Sequence, residues 1–178
     1  MSELNPRRTF NQPGDIHALT FSTFRRHRLL SEPWIAELFL QSLSNSREKF
    51  NFEVWAYVLM PDHVHLLLWP RSQEYKMETI RQSIKTPISK AVLKVARETG
   101  EKKYQTLLHK NRPRFWQAGS GYDRNLLGID EVRECVDYIH ANPLRAGMCS
   151  SPTEYLWSSA QWYADSKAIS FQVDPYHF

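Results

Sequence analysis

Two histidines, His63 and His65, interrupt the apolar run of residues 57–69 (YVLMPDHVHLLLW), just after a Pro61-Asp62 turn signal. In a strand, residues i and i+2 point to one face, with alpha carbons roughly 6.5–7 Å apart. Both imidazoles can then reach one divalent ion through a neutral nitrogen. Leu66 and Leu68 would face the opposite way, into a core. Taken alone, an HxH pair reads equally well as two ordinary histidines on a half-exposed strand.

Farther along, Tyr138 and Asn142 are four residues apart in a helical pattern and share a face. A tyrosine hydroxyl has an ordinary pKa near 10 and is a weak nucleophile without activation. A metal that polarises the attacked phosphate removes that requirement. Two histidines and one amide oxygen would supply three protein ligands and leave positions open for a phosphodiester. Metal-assisted attack by the tyrosine would then give a covalent phosphotyrosine. A tyrosine half packed on the core is the plainer reading of Tyr138.

Certain elements must position these residues. Residues 16–23 (IHALTFST) suit a first strand. The cluster Arg25, Arg26, His27, Arg28 follows in a loop. Ser31 offers a helix N-cap before an amphipathic stretch that runs to about Lys49. Residues 52–60 and 63–69 form a tight antiparallel hairpin. A second helical stretch runs from about residue 75 to 99, and Pro87 is expected to kink or split it. Residues 100–110 read as a loop and 114–117 (RFWQ) as a short fourth strand or edge segment. Asp130 caps a last helix with Val132, Cys135, Val136 and Ile139 as its buried stripe, and Pro143 opposes its continuation. The fold class is therefore α+β: a ferredoxin-like β-α-β-β-α-β core with an antiparallel sheet and an added C-terminal helix carrying the tyrosine. Its helices would cover one sheet face and leave the other free for the histidines. The chain reads as a single domain of residues 1–178, with a flexible basic arm at 1–15 and an aromatic tail at 150–178.

Bulk properties narrow the function. At 178 residues, 42% of them hydrophobic, the chain can bury a real core and is not a disordered segment. The net charge of +4 is unevenly spread. Residues 1–70 are neutral, residues 71–114 carry twelve Lys/Arg against four Asp/Glu, and residues 115–178 are net −4. A basic block of that kind suits either a solvated helix face or a polyanion partner. Two cysteines, Cys135 and Cys149, make neither a disulfide framework nor a CxxC site. With no signal peptide and no long apolar run, a reduced, cytoplasmic protein with no membrane partner is expected.

The segments YVLMPDHVHLLLW, RFWQAGSGYDRNL and YIHANPLRAGMCSSPTEYLWSSA, in that order, resemble the REP-associated tyrosine transposases. These are relatives of the single-strand insertion-sequence transposases in the HUH nuclease superfamily, and the resemblance spans residues 16–160. It implies that His63 and His65 are metal ligands, that Tyr138 is the nucleophile, and that Asn142 is the third ligand, where many relatives carry Gln. It also implies Mg²⁺ or Mn²⁺ as cofactor and hairpin-forming single-stranded DNA of the REP type as substrate. A metal-dependent endonuclease and strand transferase working through a 5′-phosphotyrosine follows from it. Such an enzyme acts as a monomer or a homodimer.

For the DNA, Lys85, Lys90, Lys94, Arg112 and Arg114 are candidate backbone contacts, and Trp116 and Tyr122 candidate base-stacking residues. Arg7 and Arg8 in the arm are candidates to enter a groove or read flanking bases. Tyr122 is also a reserve nucleophile, in a segment that reads as a turn. Two other readings compete. A histidine-triad hydrolase needs a further histidine where Leu67 stands. A catalytically silent hairpin-binding protein of the same fold would bind DNA without cutting it.

Overall fold

The computed structural model describes residues 11–108, 112–119, 121–164 and 171–176. Arg7 and Arg8 lie outside the described residues.

Among the described residues, four strands form one sheet: β1 (Ile16–Ser22), β2 (Phe52–Met60), β3 (His63–Pro70) and β4 (Tyr122–Leu126), in the order β2-β3-β1-β4. Every neighbouring pair is antiparallel, so the ferredoxin-like arrangement is met. Helix α1 (Pro33–Phe50) follows β1 and helix α2 (Met77–Thr99) follows β3. The short α3 (Lys102–Gln105), then α4 (Ile129–Arg145) and α5 (Ala160–Ala164), come after them in the chain.

Strand alternation sorts the side chains into two cores. Leu19, Phe21, Val64, Leu66 and Leu68 pack with α1 and α2. Ile16, Ala56, Val58, Leu67 and Leu126 pack with Val132, Val136 and Ile139 of α4. The second face is therefore not left free: α4 lies across it, and His65 meets that helix at Tyr138.

Two prolines behave differently from their usual role. Pro87 sits inside an unbroken α2. A proline at that place frees the carbonyl four residues back, Ser83 O, and Ser42 Oγ of α1 donates to it at 3.3 Å and to Ile84 O at 2.9 Å. Pro143 likewise lies inside α4, which continues to Arg145. The helix starts also shift. Ser31 donates to Arg28 O instead of capping, and α1 begins at Pro33 after Glu32. Helix α4 begins at Ile129 after Gly128, with Asp130 in its first turn, where its charge opposes the positive end of the helix.

The fourth strand is not at residues 114–117. Phe115 and Trp116 are buried, and Trp116 makes only an isolated bridge to Thr23. Gly119 and Gly121, both at positive φ, turn the chain before the polar segment YDRNL pairs with β1. A Cβ on Gly121 would lie 2.3 Å from Thr20 O, so the turn hugs β1 too closely for any side chain. Strand β4 is then pinned from the helical side. Asp123 Oδ1 lies 2.9 Å from His17 Nδ1, His17 Nε2 lies 2.8 Å from the Tyr75 hydroxyl, and Arg81 approaches Asp123.

Residues 11–15 of the arm form a turn docked on α2, where Asn11 Oδ1 accepts from Met77 N at 3.2 Å. The tail covers the outer edge of β2. Leu59 N donates to Trp157 O, Ser159 N to Tyr57 O, and Asp174 N to Val54 O. An edge strand left unpaired invites aggregation, and this one is closed by the chain itself.

Candidate active site

His63 and His65 stand on the α4 side of β3, with their ring centroids 4.9 Å apart. Each has its Nδ1 engaged. His63 Nδ1–H donates to Asp62 Oδ1 at 2.6 Å, and His65 Nδ1 is hydrogen-bonded to Thr20 Oγ1 at 2.8 Å. Thr20 is the cross-strand neighbour of His65, so sheet register alone brings the hydroxyl there. With Nδ1 held in this way, Nε2 is the nitrogen each ring offers to a cation. Burial pushes the His65 pKa down to about 4, with the nearby His63 and Arg26 acting in the same direction. It is therefore a neutral imidazole at ordinary pH, the form a metal requires.

The nucleophile candidate comes from α4. The Tyr138 ring meets His65 edge-on at 5.5 Å and is half exposed. The Arg145 guanidinium lies over the same ring, 5.3 Å from its centroid. The phase of α4 is set by its apolar stripe and by the buried His140, whose Nε2 lies 2.8 Å from Ser159 Oγ. Ser159 in turn bonds Tyr57 of β2 through both its hydroxyl and its backbone. The Trp157-Ser158-Ser159 segment thus ties the tyrosine helix to the edge strand β2.

Asn142 is less simply placed. Its Nδ2 donates to Tyr138 O at 2.7 Å and, more weakly, to Ile139 O at 3.5 Å. Ile139 O is the carbonyl that Pro143 leaves without a helical donor. The amide nitrogen therefore serves the helix, and the oxygen Oδ1 remains as the atom able to meet a cation. Among the described residues no group of three or more His, Cys, Asp or Glu forms a metal cluster. His63 and His65, each hydrogen-bonded at Nδ1, are two imidazoles on one face of β3, a donor pair chemically suited to a divalent ion.

A cavity of about 620 Å³ opens between α4 and the β1–β4 side of the sheet. Thr20, His65, Tyr122, Arg124, Glu131 and Tyr138 are in its wall, whereas His63 and Asn142 are not. Tyr122 is not in a turn. It is the first residue of β4, partly exposed and opposite Thr20. The reserve tyrosine is thus nearer the histidines than its sequence context suggests.

The basic block divides. Lys85, Lys90, Lys94 and Arg97 of α2 line a groove of about 690 Å³ with the segment 116–119. Lys90 and Lys94 are accessible in it, as expected. Lys85 is not on an exposed face: it is only 8% exposed, packed over the Phe21 and Trp116 rings, and burial lowers its pKa to about 8. Trp116 is 7% exposed, donates to Lys85 O and packs on Phe21, Phe39 and Phe115, so it is a core residue and has no face for a base. Arg112 is exposed and Arg114 half-buried, outside that groove.

Sequence reasoning missed Thr20, Asp62, Arg26 and Arg145 as members of the site. In the sequence Asp62 reads only as a turn residue. Arg145, two helical turns beyond Tyr138, carries a readable signal in its spacing.

The sequence model of the IS200-like transposase family matches residues 15–142. The chain belongs to that family. It is also similar to a Haemophilus influenzae protein named as a putative REP-associated tyrosine transposase, with 25% identity over 174 residues, covering 96% of this chain and 92% of the relative. Among solved structures, a REP-associated tyrosine transposase bound to a REP hairpin superposes with a TM-score of 0.66 at 20% identity, covering all of this chain and 95% of the other. That likeness speaks for the fold. Among the described residues no helix is long and apolar enough to cross a membrane.

Proposed function

We propose that this transposase-family chain is a metal-dependent endonuclease and strand transferase for hairpin-forming single-stranded DNA, with Tyr138 as nucleophile. The observation that carries the reading is the edge-on contact of Tyr138 with His65 of the same chain, at the mouth of one cavity. It favours a site complete within a monomer.

In this reading His63 and His65 hold the ion through Nε2, with Asn142 Oδ1 as third ligand. The ion, Mg²⁺ or Mn²⁺ by family likeness, supplies polarisation of the scissile phosphate. The Tyr138 hydroxyl oxygen forms a bond to phosphorus and loses its proton. The bond from phosphorus to the 3′-oxygen breaks, and that oxygen leaves as a free 3′-hydroxyl after taking up a proton. The 5′-phosphate stays on the tyrosine, and attack by another 3′-hydroxyl reverses the step and rejoins strands. Arg145 keeps the phenol ring in place beside His65. Lys90, Lys94 and Arg97 grip the DNA backbone, with Arg112 and Arg114 as further phosphate contacts; the arm residues Arg7 and Arg8 extend the contact. Tyr122 in the cavity wall offers a face to an unpaired base.

Incubation with labelled hairpin strands and Mn²⁺ is expected to trap a covalent adduct. His63→Ala and His65→Ala are each expected to abolish scission while hairpin binding stays within a few-fold of the parent. Hairpin binding without scission by the parent itself would instead make the chain a silent DNA-binding protein.

A further inference from the structure

The turn between β1 and α1 carries two successive residues, Arg25 (φ +52°) and Arg26 (φ +58°), in the left-handed region. L-residues other than glycine avoid that region, so two in a row need a framework that enforces them and a reason to keep them. The framework is visible. Phe24 N donates to Phe115 O at 2.7 Å and Arg26 N to Thr23 O at 3.1 Å, while Thr23 Oγ1 reaches both His27 O and Asp62 O.

The conformation throws the Arg26 side chain back over the end of β1. Its Nε lies 3.2 Å from Asp62 Oδ2, and one terminal nitrogen donates to Ser22 Oγ at 2.8 Å. Asp62 holds His63 with its other oxygen, and Ser22 is the cross-strand neighbour of His63. The guanidinium is thus one carboxylate away from the histidine pair, yet its side chain stays 59% exposed. An ion pair that exposed adds little to stability, so folding alone does not explain the turn. Arg25 is built on the same strain but lays its guanidinium on the Phe24 ring instead.

We propose that Arg26 is a phosphate-binding residue of the site: Asp62 and Ser22 fix one side of its guanidinium, and its remaining N–H groups donate to a non-bridging oxygen of the DNA strand beside His63 and His65. A guanidinium fork suits this task because it gives two parallel charge-assisted bonds to one phosphate. The proposal rests on the hairpin-DNA reading above.

The test is a binding experiment without metal, so that no chemistry is required. Hairpin strands carry a single neutral methylphosphonate at successive positions around the cleavage site. The parent is expected to lose about tenfold in affinity at one such position, and Arg26→Gln to lose about tenfold on the natural strand. On the strand modified at that position, Arg26→Gln should lose nothing more. Arg26→Lys should recover only part, and Arg25→Gln should bind as the parent does. Equal methylphosphonate losses in parent and Arg26→Gln overturn the proposal, as does an equal loss in Arg25→Gln. Mn²⁺ titration calorimetry and melting curves of Arg26→Gln should match the parent. A fall in Mn²⁺ affinity would mean that Arg26 acts through Asp62 on His63, and a fall in melting temperature that it serves the fold; either overturns the phosphate contact. A parent that binds none of the strands overturns the proposed function itself, which keeps the two failures distinct.

Discussion

His63 and His65 differ in how their second nitrogen is held, and the difference has consequences. The His63 partner is a carboxylate and the His65 partner a hydroxyl. A carboxylate both fixes the tautomer and raises ligand basicity. Asp62→Asn is therefore expected to weaken Mn²⁺ binding by about 10- to 100-fold in calorimetric titration; unchanged affinity would deny Asp62 that role. His140 gives a second prediction of the same scale. Burial lowers its pKa to about 4, against an ordinary value of 6.5. The unfolded chain thus binds the proton more readily, so stability is complete above about pH 6.5 and is lost as pH falls towards 4. At pH 5 the loss is on the order of 2 kcal/mol. The drop in melting temperature from pH 7 to pH 5 should be smaller in His140→Gln than in the parent.

The elements show what was legible and what was not. The hairpin of β2 and β3 and the inward-facing Leu66 and Leu68 follow from period-2 patterning and a Pro-Asp turn, and both are found. A fourth strand at residues 114–117 fails for a physical reason. Phe115 and Trp116 look like strand residues because they are large and apolar, but they fill the core against Phe21 and Phe39. The true β4 is rich in Asp, Arg and Asn, which propensity disfavours, and is held by tertiary contacts from His17 and β1. Likewise, nothing local to α2 reveals that Ser42 of another helix would satisfy the carbonyl freed by Pro87. The tight turn before β4 yields a test. Gly121→Ala introduces a Cβ against Thr20 O at positive φ and is expected to cost a few kcal/mol of unfolding free energy, on the order of 1–3 from backbone strain alone. A chemical-denaturation midpoint equal to the parent's would show that β4 can shift without loss.

At the scale of the whole molecule, the sheet separates two regions. The tyrosine cavity, with Tyr122 in its wall, lies on the α4 face, and the basic groove along α2, with residues 116–119, on the other. The charge block was readable from composition, but its division was not: burial of Lys85 and Trp116 depends on packing that no single stretch encodes. Replacing Lys90, Lys94 and Arg97 with Gln should flatten the salt dependence of hairpin binding. The slope of log affinity against log salt should fall by roughly 0.7–0.9 for each phosphate that is no longer neutralised; an unchanged slope would move the DNA path elsewhere. The identity of the attacking tyrosine is the point on which the proposed function turns, because Tyr122 shares the cavity with Tyr138. Proteolysis of the trapped adduct followed by mass spectrometry decides it. The 5′-phosphate should be found on the peptide containing Tyr138, with no adduct in Tyr138→Phe; a phosphate on Tyr122, or an adduct that survives Tyr138→Phe, would contradict the proposed function as stated.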